Sequence, residues 1–171
     1  MKARNFLMLL LAPLLSVSAM ATGKHAGDHE ASENIGKPGV AAKITRTVKV
    51  DMTDTMRYSF SNIKVKQGET VRFLVRNTGQ IKHEMVLGTE QKLKEHAELM
   101  KKNPEMEHAD DNMVTVAPGQ TGEIVWQFTK TGKVDFACLQ PGHFEAGMKG
   151  VVTVAGVKTP HQGHGQGAHK H

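Results

Sequence analysis

Apolar and polar residues alternate through most of the central chain, which is the period of a half-buried strand. In Thr70-Val71-Arg72-Phe73-Leu74-Val75-Arg76 the residues Val71, Phe73 and Val75 fall on one face, and Gln67-Gly68-Glu69 ahead of them is a turn signal. Ile124 to Phe128 repeats the pattern, and further strands are expected at residues 44–50, 57–65, 81–87, 133–138 and 149–154. Connections such as Ala117-Pro118-Gly119-Gln120 and Lys130-Thr131-Gly132 separate them. Seven or eight short strands predict an all-β chain folded as a β-sandwich.

One stretch follows a different period. Residues 90–102 are rich in Glu, Lys, Leu and Met, with Leu93, Ala97 and Met100 on one helical face, so a short helix inserted between two strands is expected. Thr89 is placed to cap its start and Asn103-Pro104 to end it, after which Glu105 to Asn112 reads as loop.

The ends carry no sustained period. Lys2 and Arg4, the apolar stretch from Phe6 to Val17 and the small residues Ala19-Met20-Ala21 make residues 1–21 a cleavable export signal. That apolar run is shorter than the about 20 residues of a membrane span, so no membrane span is expected, and the lack of a cysteine at the cleavage region disfavours a lipid anchor. Residues 22–42, with His25 and His29, read as a flexible arm, and residues 158–171, with His161, His164, His169 and His171, as a disordered histidine-rich tail. These terminal histidines suit loose metal chelation; Gln and Gly interrupt the C-terminal set, unlike a purification tag. One domain over 43–157 remains.

The formal charge of +5, about +3 once Lys2 and Arg4 are removed, comes from scattered basic residues with one Trp and one Tyr, which gives a nucleic-acid surface little support. Cysteine usage says more. Exported cysteines normally pair, but Cys138 is the only one, which leaves an inert buried residue, a reactive thiol or a metal ligand. Its surroundings favour the last: Cys138, His143 and Met148 follow one another as Cys-x4-His-x4-Met. Thiolate, imidazole and a weak thioether together suit copper in the trigonal type 1, or blue, arrangement, whereas structural zinc sites rarely use Met. That arrangement needs a second His. His83 supplies it from the strand Ile81 to Leu87, where Ile81, His83, Met85 and Leu87 share one face, just as Val134, Phe136 and Cys138 share one in theirs. Pro141-Gly142 and Gly147 let the intervening loop fold back.

This loop, with an upstream His on a strand, resembles the cupredoxins, the family of plastocyanin, azurin, auracyanin and rusticyanin, its spacing being most similar to the last two. Phe60 to Val71, His83 to Gly88 and Pro141 to Gly150 are similar to the exported copper-tolerance cupredoxins of the CopI type, over about Lys43 to Ala155. The resemblance implies a Greek-key β-sandwich, one type 1 copper held by His83, Cys138, His143 and Met148, and a periplasmic role against excess copper. One departure stands out: many electron-transfer cupredoxins have Asn directly after the first His ligand, where this chain has Glu84, which when ionised accepts hydrogen bonds but donates none.

Further His and Met residues lie outside that set. His96 and Met100 are one helical turn apart, and Met106, His108 and Met113 follow, so these five are candidates for additional weak copper sites, although Leu93, Ala97 and Met100 are first of all a core face. The surplus of His and Met favours a copper-tolerance protein that binds and redox-cycles copper, with no organic substrate. A monomer is expected. The rival is a dedicated electron carrier whose redox partner docks near His143, beside Pro141 and Phe144. A copper oxidase or nitrite reductase would need more histidines on folded strands, so an enzyme is not expected.

Overall fold

The computed structural model describes residues 35–106 and 109–157. Ten strands among these residues form two five-stranded sheets. In chain order they are β1 (Lys37–Pro38), β2 (Arg46–Thr53), β3 (Arg57–Tyr58), β4 (Asn62–Lys66), β5 (Thr70–Asn77), β6 (His83–Gly88), β7 (Met113–Val116), β8 (Thr121–Gln127), β9 (Gly132–Ala137) and β10 (Lys149–Ala155), with the helix α1 (Glu90–Lys102) between β6 and β7. One sheet has the order β1-β8-β5-β2-β3 and the other β4-β10-β9-β6-β7. The β2–β5 and β4–β10 pairs are parallel and the remaining pairs antiparallel.

Period-two faces close on one another to make the core. Val71, Phe73 and Val75 from one sheet and Met85, Leu87, Val134 and Phe136 from the other are buried in a single cluster, together with Trp126 and Phe128. Phe73 meets Phe128 edge-on, with centroids 6.2 Å apart. Cys138 belongs to this cluster, as the parity of its strand requires. The other face of β6 and β9 is covered by α1: Val86, Ala137 and Leu139 pack with Leu93, Ala97 and Met100. All six residues of β6 are therefore buried. Thr89 caps α1 by accepting a hydrogen bond from Lys92 N at 3.3 Å.

Three expectations need correction, and one strand was not expected. The stretch 57–65 is two strands, because the chain leaves one sheet after Tyr58 and joins the other at Asn62; a steady alternation cannot display a change of sheet. The segment expected to be a flexible arm to residue 42 is folded from Ile35 onward: Lys37–Pro38 pairs with β8, and Trp126 Nε1 donates to Ile35 O at 2.8 Å. Strand β7, where no strand was expected, has only four residues, too few to show a period. Ile81 lies ahead of β6 and is 43% exposed, so it does not share the buried face of His83. Residues 1–34, 107–108 and 158–171, including the export signal, the terminal histidines and His108, lie outside the described residues.

Candidate metal centre

His83 opens β6, paired with Val116 of β7, and is fully buried. Asn77 at the end of β5 sets its approach: the buried Asn77 amide donates to Ile81 O at 2.7 Å and Val116 O at 2.9 Å, tying the connection before β6 to the edge of β7. Cys138 directly follows β9, and its N–H donates to Met148 O at 3.0 Å, so the loop between them is closed at its base. Within the loop His143 N donates to Gln140 O and Met148 N to His143 O, each at 3.0 Å. Gly142 and Gly147 turn it at φ +84° and +92°, angles that side chains with a Cβ rarely adopt. Arg57 Nη1 donates to Ala146 O at 2.8 Å, and Lys101 of α1 pairs with Glu145 at 2.6 Å, so both neighbouring elements hold the loop.

These two segments bring together three donors. The candidate ligand atoms of His83, Cys138 and His143 all lie within 4.8 Å of one another, and no other group of three or more His, Cys, Asp or Glu donors converges in this way among the described residues. Cys138 Sγ and His143 Nδ1 are 3.2 Å apart, and the two imidazole rings lie 4.9 Å apart between centroids. Met148 is fully buried in the same core cluster as Cys138. His143 is only partly buried.

The hydrogen bonds assign the free atoms. His83 Nε2–H donates to Asp54 Oδ1 at 3.0 Å, while His83 Nδ1 is buried and has no hydrogen-bond partner. An orphaned ring nitrogen in a fully buried residue costs free energy unless something binds it, and a carboxylate on the opposite nitrogen fixes the tautomer that leaves its lone pair available. Asp54 is itself held by Gln80 N, which donates to Oδ2 at 2.7 Å; this bond and the one from His83 hold its carboxyl below the usual range. Cys138 tends the other way: burial pushes its thiol up to about 12, helped by the Glu84 carboxylate and opposed by the N–H groups of Glu84 and Gln140. Burial, and next His83, lower the pKa of His143, which disfavours its protonated form. The donor set is therefore two imidazoles and a thiol that ionises only against a strong positive charge, which fits a bound transition-metal cation.

Glu84 braces the site. It is 3% exposed; Oε1 accepts from Leu139 N at 2.8 Å and Oε2 from Gln140 Nε2 at 3.2 Å and Thr115 Oγ1 at 3.3 Å. Its own N–H points at Cys138 Sγ at 3.4 Å, and its carbonyl accepts from Tyr58 OH at 2.7 Å. The carboxylate thus braces the cysteine segment entirely by accepting. Asp54 and Tyr58 escaped the sequence reading. Tyr58, the only tyrosine, sits in a two-residue strand, and Asp54 is an ordinary turn carboxylate whose role depends on contact with His83, 29 positions away.

The additional candidates divide between two places. His96 lines a surface cavity with Leu99, Asp110 and Asp111, whereas Met100, Met106 and Met113 line a different one beside Glu84 and Gln140.

Comparison with known proteins gives concordant results. Residues 44–155 match the profile of the family described as copper binding proteins, plastocyanin/azurin family. The chain is 52% identical over 155 residues to the copper-resistant cuproprotein CopI of Rubrivivax gelatinosus, covering 86% of this chain and 94% of that protein. It is 38% identical over 120 residues to the protein of the same name from Vibrio cholerae, covering 70% and 71% of the two chains. Among solved structures, dithionite-reduced auracyanin of Roseiflexus castenholzii superposes with a TM-score of 0.56 at 24% identity, over 66% of this chain and 98% of that one. Auracyanin B gives 0.59 at 21% identity, over 70% and 96%. These two likenesses establish the β-sandwich.

Proposed function

The chain belongs to the plastocyanin/azurin family of copper-binding proteins, and from that premise we propose that it is an exported copper-tolerance protein holding one type 1 copper between His83, Cys138, His143 and Met148. The observation that carries the reading is the convergence of the first three, with His83 Nδ1 buried and unpartnered. Identity of 52% to a copper-resistant cuproprotein supports the choice of tolerance as the purpose.

In this reading Asp54 orients His83, and Glu84 holds the Leu139 and Gln140 segment so that Cys138 Sγ stays in place. Cys138 gives up its proton on binding, since burial makes the free thiolate unfavourable. Met148, anchored through its backbone to both Cys138 and His143, is the weak fourth ligand. Copper would supply a one-electron couple when bound, and β6 and the cross-tied loop would hold its ligands in place. The chain handles copper itself and turns over no organic substrate. We place it in the periplasm, exported by residues 1–21, with one folded domain whose described residues contain no helix long and apolar enough to cross a membrane.

An electron carrier is the second reading, favoured by the partial exposure of His143 beside exposed Pro141, which gives the centre an edge at the surface for a redox partner. Two measurements separate these ideas. Copper-loaded protein should show an intense visible thiolate-to-copper band that Cys138→Ala removes; a band that survives that substitution refutes the ligand set. A deletion strain should become copper-sensitive and be rescued by the intact chain but not by Cys138→Ala. Normal growth in copper together with loss of one respiratory reaction would favour the carrier.

A further inference from the structure

We propose that Tyr58 is a positioning residue for Cys138: by holding the Glu84 carbonyl, its hydroxyl sets the aim of the Glu84 N–H at the cysteine sulfur. This role presupposes the copper centre proposed above and gives that centre a residue from the opposite sheet. Tyr58 OH donates to Glu84 O at 2.7 Å, and Glu84 N–H points at Cys138 Sγ at 3.4 Å.

Strand pairing explains why Glu84 is available for this. The β6–β9 ladder runs from Gly88↔Asp135 to Val86↔Ala137 and ends there, so Glu84, further along β6, is not part of it. The N–H and C=O of one strand residue point to the same side. Here the sulfur of the residue that follows β9 takes the N–H, and Tyr58 takes the C=O. The Glu84 carboxylate is held by Leu139, Gln140 and Thr115, all from its own sheet or the loop that continues it. Tyr58, on β3, is the partner that reaches Glu84 from the other sheet.

Core packing accounts for only part of this arrangement. The Tyr58 ring is 8% exposed and meets Phe136, on the same strand face as Cys138, edge-on with centroids 5.0 Å apart. A phenylalanine would supply that packing equally, whereas the hydroxyl alone reaches Glu84. The hairpin that carries it is also unusual. Strands β2 and β3 pair only at Met52↔Tyr58 and Thr53↔Arg57, and the turn between them passes through Met56 at φ +59°, a left-handed conformation that favours glycine. Met56 N donates to Thr53 O at 3.0 Å and its side chain packs against the core, so the surroundings hold the strained residue in place. From the same hairpin Asp54 accepts from His83 and Arg57 donates to Ala146 O, so three of its residues tie down the segments that carry the ligands.

A hydrogen bond to the thiolate draws charge from the sulfur, which favours the less charged cuprous state and raises the potential. Tyr58→Phe keeps the ring, leaves Glu84 O without its donor and lets the N–H drift from Sγ. In copper-loaded, full-length protein it should lower the reduction potential, raising the ratio of cuprous to cupric dissociation constants about two- to tenfold, the range set by one hydrogen bond. The visible thiolate-to-copper band should move to longer wavelength. Thr45→Val removes a hydroxyl bond to Thr70 O, 3.0 Å, at the far end of β2 and should leave both readouts at their parent values, which separates positioning from lost stability. Potential and band unchanged in Tyr58→Phe would overturn the proposal. A second measurement needs no copper: in the proton NMR spectrum of the copper-free chain, Tyr58→Phe should move the Glu84 amide signal upfield while that of Phe73 stays. An unmoved Glu84 signal would overturn the proposal equally. A parent chain without the visible band would refute the ligand set instead, and the amide signal would then decide the role of Tyr58 by itself.

Discussion

Replacing Asp54 by Ala tests whether one turn carboxylate sets the copper affinity of a buried histidine. The side chain accepts from His83 Nε2–H at 3.0 Å and from Gln80 N at 2.7 Å, so its loss frees the imidazole to rotate and to change tautomer, and frees the loop that leads into β6. Removing such a partner of a metal-binding histidine typically costs about 10- to 100-fold in affinity. Asp54 is 37% exposed, so water replaces part of the bond, and the lower end, about tenfold, is expected. Asp54→Asn should fall between, because its single carbonyl oxygen can serve His83 or Gln80 but not both. Gly79 offers a second route to the same disturbance: a Cβ there would run into the Asp54 carboxylate. Gly79→Ala should therefore weaken copper binding in the parent and add little to Asp54→Ala, since both act through one contact. Competition titration against a copper chelator measures the affinities, and circular dichroism verifies the fold. Unchanged affinity in Asp54→Ala, or a full additive loss in the double variant, would refute the reasoning.

Further outcomes follow from the same geometry. Glu84→Ala leaves the buried Leu139 N–H without an acceptor and should cost about 1–3 kcal/mol in denaturant unfolding; Glu84→Gln, which keeps an acceptor oxygen, should cost less. Copper uptake should release the Cys138 proton throughout the neutral range, because its thiol titrates only at about 12, so apparent affinity should rise about tenfold per pH unit between about pH 7 and 9. A flat profile in buffered competition titrations would contradict this. The copper-free fold should lose stability as pH rises above 9.0, the ordinary value of the thiol, since the unfolded chain ionises there and the folded chain does not. Urea midpoints at pH 8 and 10 measure that loss, and Cys138→Ala should abolish it.

What the sequence displayed and what it hid divide along one line. Wherever a segment lies between two layers, its period appears in the residues: Val71, Phe73 and Val75 are fully buried, and the helix bounds at Glu90 and Lys102 coincide with the expected ones. The convergence of Cys138 and His143 was legible because they are close in sequence and the loop's glycines mark its turns. Strand β3 and strand β7 were not, since two or four residues carry too little period to register. Asp54, Tyr58 and the shared cavity of the three methionines depend on contacts between distant elements, which composition and spacing do not encode. Glu84 lies between these cases: the residues announced an unusual acceptor beside His83, but only the fold reveals that the donors it meets are Leu139 N, Gln140 Nε2 and Thr115 Oγ1.

The position of the two carboxylates bears on what the copper is for. Asp54 is one hydrogen bond from His83, and the Glu84 carboxylate is one hydrogen bond from the residue after Cys138. Negative charge beside a metal favours its more highly charged state, and a partly enclosed position screens that effect less than open water would. Both acids therefore bias the proposed type 1 centre toward cupric ion. Under the proposed tolerance role, that bias favours holding copper in its oxidised state, and it does so with side chains that are already fixed by the hydrogen bonds of the site.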